Sequence, residues 1–425
     1  MPELNFSGAN TCVASHGLHA YAARCPPQLV RYGLRYYSRR GETVLDPMMG
    51  SGTTLVEAKL LGRSGVGIDI DPLARLIAEV KCSALSDADI EAGYSAVCRK
   101  AAELADLRLS LPSSVCCKAT ASGPLPKEWF SSSVTRDLAR LARAIESTIL
   151  TREVRNFFWI AFSSVILART SVANARDIIH SRPHRFVHSK LPNVFGVFER
   201  RVRIMRRRMA EMNKRRGRSI PENPPGIRTL LGDARKLDHL AEDSVDLVFT
   251  SPPYATALDY PRAHFLAVAW MEKALGITLT DYLSRGARYI GSEKGRFGAQ
   301  DFALDNAFER QPICSRILTK LAQSSPRHAK LVQRYFLDMV QVLDEVRRVL
   351  RRRHHAIFVV CPSHIRKVPI PTEEVFVELS RSASLRLKAK HSRTIDCRRR
   401  LLPYMNGNSL GARMSTEYVL VFRRE

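Results

Sequence analysis

Apolar residues gather in short, compact runs along this chain: Val44-Leu45, Val66-Gly67-Ile68, Val245 to Phe249 and Ala356 to Val360. They predict strands at Thr43 to Leu45, Ser64 to Asp69, Val245 to Thr250 and Ala356 to Val360, each preceded or followed by a helical pattern. The clearest helix precedes the fourth strand, where Val332, Phe336, Met339, Leu343, Val346 and Leu350 recur three or four residues apart. That is a core-facing stripe, so its Met and Phe serve packing. The alternation implies a mainly parallel sheet covered by helices, and Glu417 to Phe422 reads as a last strand, antiparallel at the sheet edge. Residues 85 to 225 break the rhythm with helical Ala/Leu/Arg patterns and the aromatic cluster Phe157 to Phe162, which reads as core rather than as a base-stacking surface.

Two of the predicted strands run directly into chemistry. Val245 to Thr250 ends in Ser251-Pro252-Pro253-Tyr254. Proline supplies no N–H, so backbone carbonyls at this strand end stay free as acceptors. A hydroxyl before them and an aromatic ring behind suit a flat heterocycle, with its exocyclic NH2 hydrogen-bonded and its face stacked. An ordinary Pro turn is the bland alternative. Val44-Leu45 runs into Asp46-Pro47-Met48-Met49-Gly50-Ser51-Gly52-Thr53-Thr54 and then a helical segment. Glycines there permit a tight turn and a close backbone approach to a ligand at a helix N-terminus. Asp69 ends the next strand 23 residues after Asp46, near the spacing at which a Rossmann-type fold grips ribose hydroxyls with a carboxylate. No Lys follows Gly50 or Gly52 before Lys59, which excludes a phosphate-cradling P-loop. The dinucleotide pattern Gly-x-Gly-x-x-Gly is missing too, since the turn reads Gly-Ser-Gly-Thr-Thr-Leu.

Together the two motifs resemble those of the S-adenosylmethionine-dependent DNA amino-methyltransferases, which modify adenine N6 or cytosine N4. Asp46 to Thr54 is similar to that family's Asp-Pro-Phe-x-Gly-Ser-Gly-Thr-Thr cofactor loop, with Met48 standing for Phe, and methionine fills an aromatic's space. Ser251 to Tyr254 is similar to its Asp/Asn/Ser-Pro-Pro-Tyr catalytic loop. His16-Gly17-Leu18-His19-Ala20-Tyr21-Ala22-Ala23-Arg24 resembles a His-x-x-His-Pro-Tyr-Pro-Ala-Arg segment found in a subset of these enzymes, and Gly232-Asp233-Ala234 resembles the turn whose Asp approaches the cofactor's adenine. The resemblance implies a Rossmann-like methyltransferase fold with S-adenosylmethionine bound by Asp46, Met48, Gly50, Ser51, Gly52, Thr53, Asp69 and Asp233. It also implies catalysis by Ser251, Pro252, Pro253 and Tyr254 on a base flipped out of double-stranded DNA. Ser at the first position accompanies cytosine N4 more often than adenine N6, so cytosine is favoured at about two to one. Attack at cytosine carbon 5 needs a cysteine nucleophile, typically after proline, and the chain has no Pro-Cys dipeptide. Asp259, Tyr260, Arg262 and His264 follow closely enough to line the base pocket, or they form a helix entrance capped by Asp259.

Composition agrees with a polyanion partner: 67 Lys plus Arg against 41 Asp plus Glu give a formal charge of +26. The densest run, Arg200 to Arg218, offers Arg203, Arg206, Arg207, Arg208, Lys214, Arg215 and Arg216 for phosphate contact; a solvated face is the alternative. Arg399, in Arg398-Arg399-Arg400, belongs with Arg393 and His391 to a second basic group read as doing similar work. Nine cysteines contain no C-x-x-C pair and the histidines show no H-E-x-x-H spacing, so reduced thiols and no metal are expected. No apolar stretch is long enough for a membrane span and no signal pattern opens the chain, so the expected location is the prokaryotic cytoplasm or nucleoid. Residues 1–84 read as an N-terminal segment with the cofactor-binding half, 85–225 as the inserted helical and basic region and candidate for target recognition, and 226–425 as the catalytic half, with a rival recognition insert at 272–328. No nuclease signature is evident, so a cognate restriction nuclease would be encoded separately. An RNA amino-methyltransferase and a catalytically dead nucleic-acid-binding relative remain open.

Overall fold

The computed structural model describes residues 4–6, 8–21, 24–107, 109–116, 129–166, 193–217, 226–255, 260–293, 302–395 and 414–425. Among the described residues, seven strands form one sheet: β1 (Thr43–Asp46), β2 (Ser64–Asp69), β3 (Ile227–Leu231), β4 (Val245–Thr250), β5 (Leu350–Val360), β8 (Leu385–Thr394) and β9 (Thr416–Arg424). A separate hairpin joins β6 (Ser363–Ile365) to β7 (Val368–Ile370). The sheet order is β3-β2-β1-β4-β5-β9-β8; the first five strands are parallel, and β9 runs antiparallel to both neighbours. Chain order reverses between β1 and β4, so a crevice opens past their carboxyl ends.

Every residue of β4 is buried, as a strand covered on both faces requires. Its side chains alternate between two cores. Leu247 and Phe249 face the helix Pro27–Tyr37 through Leu29, Val30 and Leu34. Val245 and Val248 face the helices Pro312–Ser324 and Pro326–Val349, where Val332, Phe336, Met339, Leu343 and Val346 form the stripe anticipated above. Gly33 lets the first helix press against the sheet, because a Cβ there would come within 2.5 Å of the Phe249 ring.

The strand ladder departs from the apolar runs in three places. β5 begins at Leu350, six residues before the expected start, because Leu350 pairs with Val245 on the far side of a register shift that spans exposed Arg351, Arg352 and Arg353. Glu417 to Phe422 does form an antiparallel strand, but it lies one position in from the edge, with β8 outside it. β8 alternates buried or half-buried with exposed positions, and its Arg and Lys protect the edge from pairing with other chains.

Between the helix Pro72–Cys82 and β3 lie the helices Asp87–Glu103, Ser132–Ser147, Arg152–Ile166 and Val194–Gly217. They share one apolar core with Leu73, Leu76 and Ile77 of the Pro72–Cys82 helix and with Phe265, Leu266 and Trp270 of the helix Tyr260–Leu275. Phe157, Phe158, Trp159 and Phe162 sit at its centre, so the aromatic cluster is packing. Gly93 permits close helix approach, since a Cβ there would lie 2.8 Å from the Phe158 ring. Phe158→Ala should therefore cost about 3–5 kcal/mol. Because the core spans the inserted helices and the sheet-flanking ones, urea unfolding of that variant should still proceed in one transition; separate transitions would show that the inserted helices unfold independently.

Candidate active site

The turn after β1 and the turn after β4 border one cavity at the crevice, lined among others by Asp46, Met48, Gly50, Ser51, Thr53, Asp69, Asp233, Ser251 and Pro253. Gly50 (φ +49°) and Gly52 (φ +78°) take left-handed conformations that bend the chain into the helix Thr53–Leu60. Side chains would not fit there: a Cβ on Gly52 would lie 2.7 Å from the Ala78 Cβ, and one on Gly50 would lie 3.0 Å from the Tyr21 ring. No side chain caps the helix, so its first-turn N–H groups remain available to a ligand. Ser51 Oγ, buried at this turn, has no hydrogen-bond partner among the described residues. Asp46 is buried and pushed up to about 6 by that burial, opposed by the Thr54 hydroxyl and the Met48 N–H, 3.2 Å from Oδ1.

Asp69 fastens this turn to β2. Its carboxylate accepts from the Gly50 N–H at 2.8 Å and the Asp71 N–H at 2.9 Å. Burial, then the neighbouring Asp71 charge, pushes it up to about 7. Asp71 caps the helix Pro72–Cys82 by accepting from the Leu73 and Ala74 N–H groups, and its other oxygen faces His264 Nδ1 at 2.9 Å and the Tyr282 hydroxyl at 2.8 Å. Burial alone would raise Asp71; His264, Tyr282 and the backbone donors outweigh it and hold the group below its ordinary range. Tyr260 opens the helix Tyr260–Leu275, lines the cavity and stacks on Tyr21 at 5.8 Å between centroids. Of the four residues after the Pro-Pro turn, Tyr260 thus borders the cavity, His264 is tied to Asp71, Arg262 is exposed, and Asp259 lies outside the described residues.

Just past β3, the strand paired with β2, Asp233 is gripped by Arg235, which donates from Nε at 2.9 Å to one oxygen and from a terminal nitrogen at 2.6 Å to the other. Arg235 also bonds Asp338 at 2.7 Å, so Asp233 stays ionised against the pull of burial. On the turn after β4, Ser251 Oγ donates to the Val359 carbonyl at 3.3 Å. Pro252 is buried and Pro253 borders the cavity. Tyr254 donates its hydroxyl to Glu417 on β9 at 3.2 Å, and Arg393 on β8 donates Nε to the other Glu417 oxygen at 2.7 Å. Sequence reasoning missed Asp71 and Glu417, whose partners lie far away along the chain, and read Arg393 as part of a phosphate-contacting group although it is buried against Glu417; Asp71-Pro72, a helix-cap signal, was the one local clue.

Residues from the leading segment support these turns from behind. His16 Nε2 lies 2.9 Å from Glu57, and Arg31 donates to both Glu57 oxygens. His19 bonds Ser163 of the inserted region at 3.0 Å, and burial pushes its pKa down to about 3.

Much of the basic run is already paired. Arg206 contacts Asp87 and Glu91, Arg203 pairs with Glu199, and Arg208 and Arg215 both pair with Glu211. Arg207 and Lys214 are exposed and have no ion pair among the described residues. The Arg216 side chain and Arg399 lie outside the described residues, as do Cys117 and Cys397; the described cysteines are free thiols. Glu42, Asp246 and His354 cluster at the opposite rim of the sheet, where Asp246 is already bound by Arg351. No helix among the described residues is long and apolar enough to cross a membrane.

Residues 5–79 match the family described as DNA methylase. Type II methyltransferase M.MvaI of Kocuria varians is 23% identical over 99% of this chain and 93% of its own length. Type II methyltransferase M.MjaII of Methanocaldococcus jannaschii is 50% identical over a shorter stretch, 16% of this chain and 12% of its own. Among solved structures, a SAM-dependent methyltransferase of Methanosarcina mazei is 9% identical, covering 92% of this chain and 96% of its own, with a TM-score of 0.32.

Asp69 keeps its proton to about pH 7 in the folded chain, against an ordinary value of 3.8. Between those values the folded state binds the extra proton, so this group's contribution to stability falls as pH rises. Asp69→Asn should remove that slope: the difference in urea midpoint between about pH 5 and about pH 8 should shift relative to the parent chain in favour of the higher pH. An unchanged difference would mean that Asp69 titrates normally.

Proposed function

From the chain's membership of the S-adenosylmethionine-dependent DNA amino-methyltransferases, we propose that it methylates the exocyclic amino group of a base flipped out of double-stranded DNA, cytosine N4 in preference to adenine N6. One observation carries this reading: the Gly-rich turn with its Asp69 tether and the turn after β4, through Ser251 and Pro253, border a single cavity at the β1/β4 switch point.

The residues fit the cofactor. Ser51 Oγ is a buried hydroxyl without a partner among the described residues, the bare glycine backbone admits a close ligand, and Asp69 and Asp233 line the cavity from neighbouring strand ends. Asp69 accepts from ribose hydroxyls and Asp233 from the adenine amine, while Met48 and Tyr260 supply apolar contact. When bound, S-adenosylmethionine supplies an electrophilic methyl on a sulfonium. An aromatic amine is a poor nucleophile because its lone pair is delocalised into the ring, so the protein's task is positioning. Ser251 Oγ and the Pro252 carbonyl accept the two amine N–H bonds, favouring a pyramidal nitrogen whose lone pair is aimed for in-line attack. Tyr254 stacks on the extruded base, with its ring direction set by Glu417 and Arg393. Ser in the first position of the turn supports cytosine as the base. Curated relatives are named Type II methyltransferases, which supports a modification role beside a separately encoded nuclease or alone.

Incubation with labelled S-adenosylmethionine and unmethylated genomic DNA, followed by nucleoside mass analysis, should give N4-methylcytosine. N6-methyladenine would keep the mechanism and change the base, and no DNA product alongside measurable cofactor binding would shift the reading to RNA. Tyr254→Ala should lower the methylation rate about 10- to 100-fold, from the stacking lost per base, with cofactor affinity nearly unchanged. Asp69→Ala should do the reverse, weakening the cofactor about tenfold or more through lost charged hydrogen bonds. Equal loss of both properties in Tyr254→Ala would remove that ring from the base-stacking role.

A further inference from the structure

The hairpin β6–β7 follows directly on β5, with Ser363 paired to Ile370, His364 to Pro369 and Ile365 to Val368. Arg366 and Lys367 alone make the turn, and both have left-handed backbones, φ +51° and +64°. Two-residue hairpin turns with positive φ at both positions favour Asn-Gly, so a long basic side chain at each is an energetically disfavoured choice. No contact among the described residues repays it locally. Both residues are exposed, and neither has an ion pair among the described residues. Strain that persists without local compensation points to a function at that position.

Its location narrows the function. β5 runs parallel to β4, so the hairpin leaves the sheet at the same edge as the Ser251-to-Tyr254 turn. Ile365, Val368 and Ile370 pack into the core shared with Ile317, Leu318 and Leu321, so the tip projects from a fixed base. The helix Pro326–Val349 leads directly into β5, and its first turn brings Arg327 and His328 to this edge. His328 is held below its ordinary pKa by burial and then by the charges of Arg366 and Arg327. Arg327 too is exposed without an ion pair among the described residues. These cations differ from those of the helix Val194–Gly217, where Arg203, Arg206, Arg208 and Arg215 are paired with carboxylates.

We propose that the Arg366-Lys367 turn is a phosphate-contacting finger that grips the DNA backbone beside the base pocket. This rests on the DNA-methyltransferase reading and adds to it a specific backbone contact. Main-chain rigidity at the tip sets where the two cations sit, and the phosphates recognise charge without regard to sequence.

The test uses the full-length protein and a random-sequence duplex, with binding followed across a salt series. Arg366→Asn with Lys367→Gly supplies the residues the turn prefers, so its unfolding midpoint should rise. DNA affinity should nevertheless fall about tenfold near physiological salt, and the slope of log affinity against log salt should shrink by about 2, as expected for two lost phosphate contacts. Arg366→Gln with Lys367→Gln keeps the side-chain bulk and should give the same loss of slope. Arg352→Gln with Arg386→Gln, exposed at the opposite rim, should leave the slope unchanged. A parent-like slope in the glutamine variant, or an equal loss in the opposite-rim control, overturns the finger. A parent chain that neither binds nor methylates DNA would instead overturn the functional reading itself.

Discussion

The Asp69 carboxylate is the joint on which the site depends. One oxygen receives the Gly50 N–H and the other the Asp71 N–H, so the turn that follows β1 is pinned to the end of β2. Two residues on, Asp71 starts the next helix and takes hold of His264 and Tyr282, which come 193 and 211 residues later. A three-residue stretch at the end of one strand thereby connects the Gly-rich turn and the helix that follows the Pro-Pro turn. Its burial is costly for a carboxylate, and the backbone N–H groups offset part of that cost.

The inserted helices are not an appendage to this joint. Their aromatic residues share a core with Leu73, Leu76 and Ile77 below Asp71 and with Phe265 and Trp270 below His264. His19 reaches across to Ser163, and Arg201 donates to the Leu18 carbonyl. A displacement of the insert is therefore felt at both walls of the cavity through packed side chains rather than through a flexible linker.

What the chain revealed before its structure follows from where the physical information is local. β1, β2 and β4 were legible because strands covered on both faces must be apolar throughout, and Gly50 and Gly52 because no other residue meets that turn so cheaply. The start of β5 was hidden because Leu350 joins β4 across a register shift while Arg351, Arg352 and Arg353 between stay exposed. β3 was hidden because it is short and only half covered. β8 carried a readable alternation from Leu385 to Thr394 that the many charges obscured. Ser251 and Tyr254 stood out as a motif, yet nothing local disclosed that the Tyr254 hydroxyl would be held by Glu417, or that Glu211 and Asp87 would absorb so much of the arginine helix.

The position of β9 carries a kinetic consequence. Glu417 lies 163 residues beyond Tyr254, on a strand that must slot between β5 and β8 before the sheet is continuous. Pairings that distant close slowly, because a long loop must lose its freedom before the contact contributes any stability. During synthesis, at about 5–20 residues per second, the Ser251-to-Tyr254 turn leaves the ribosome well before the carboxylate that orients its tyrosine. Alignment of that ring is thus among the last events of folding, and a nascent chain that has already built the Gly-rich turn still lacks an oriented Tyr254.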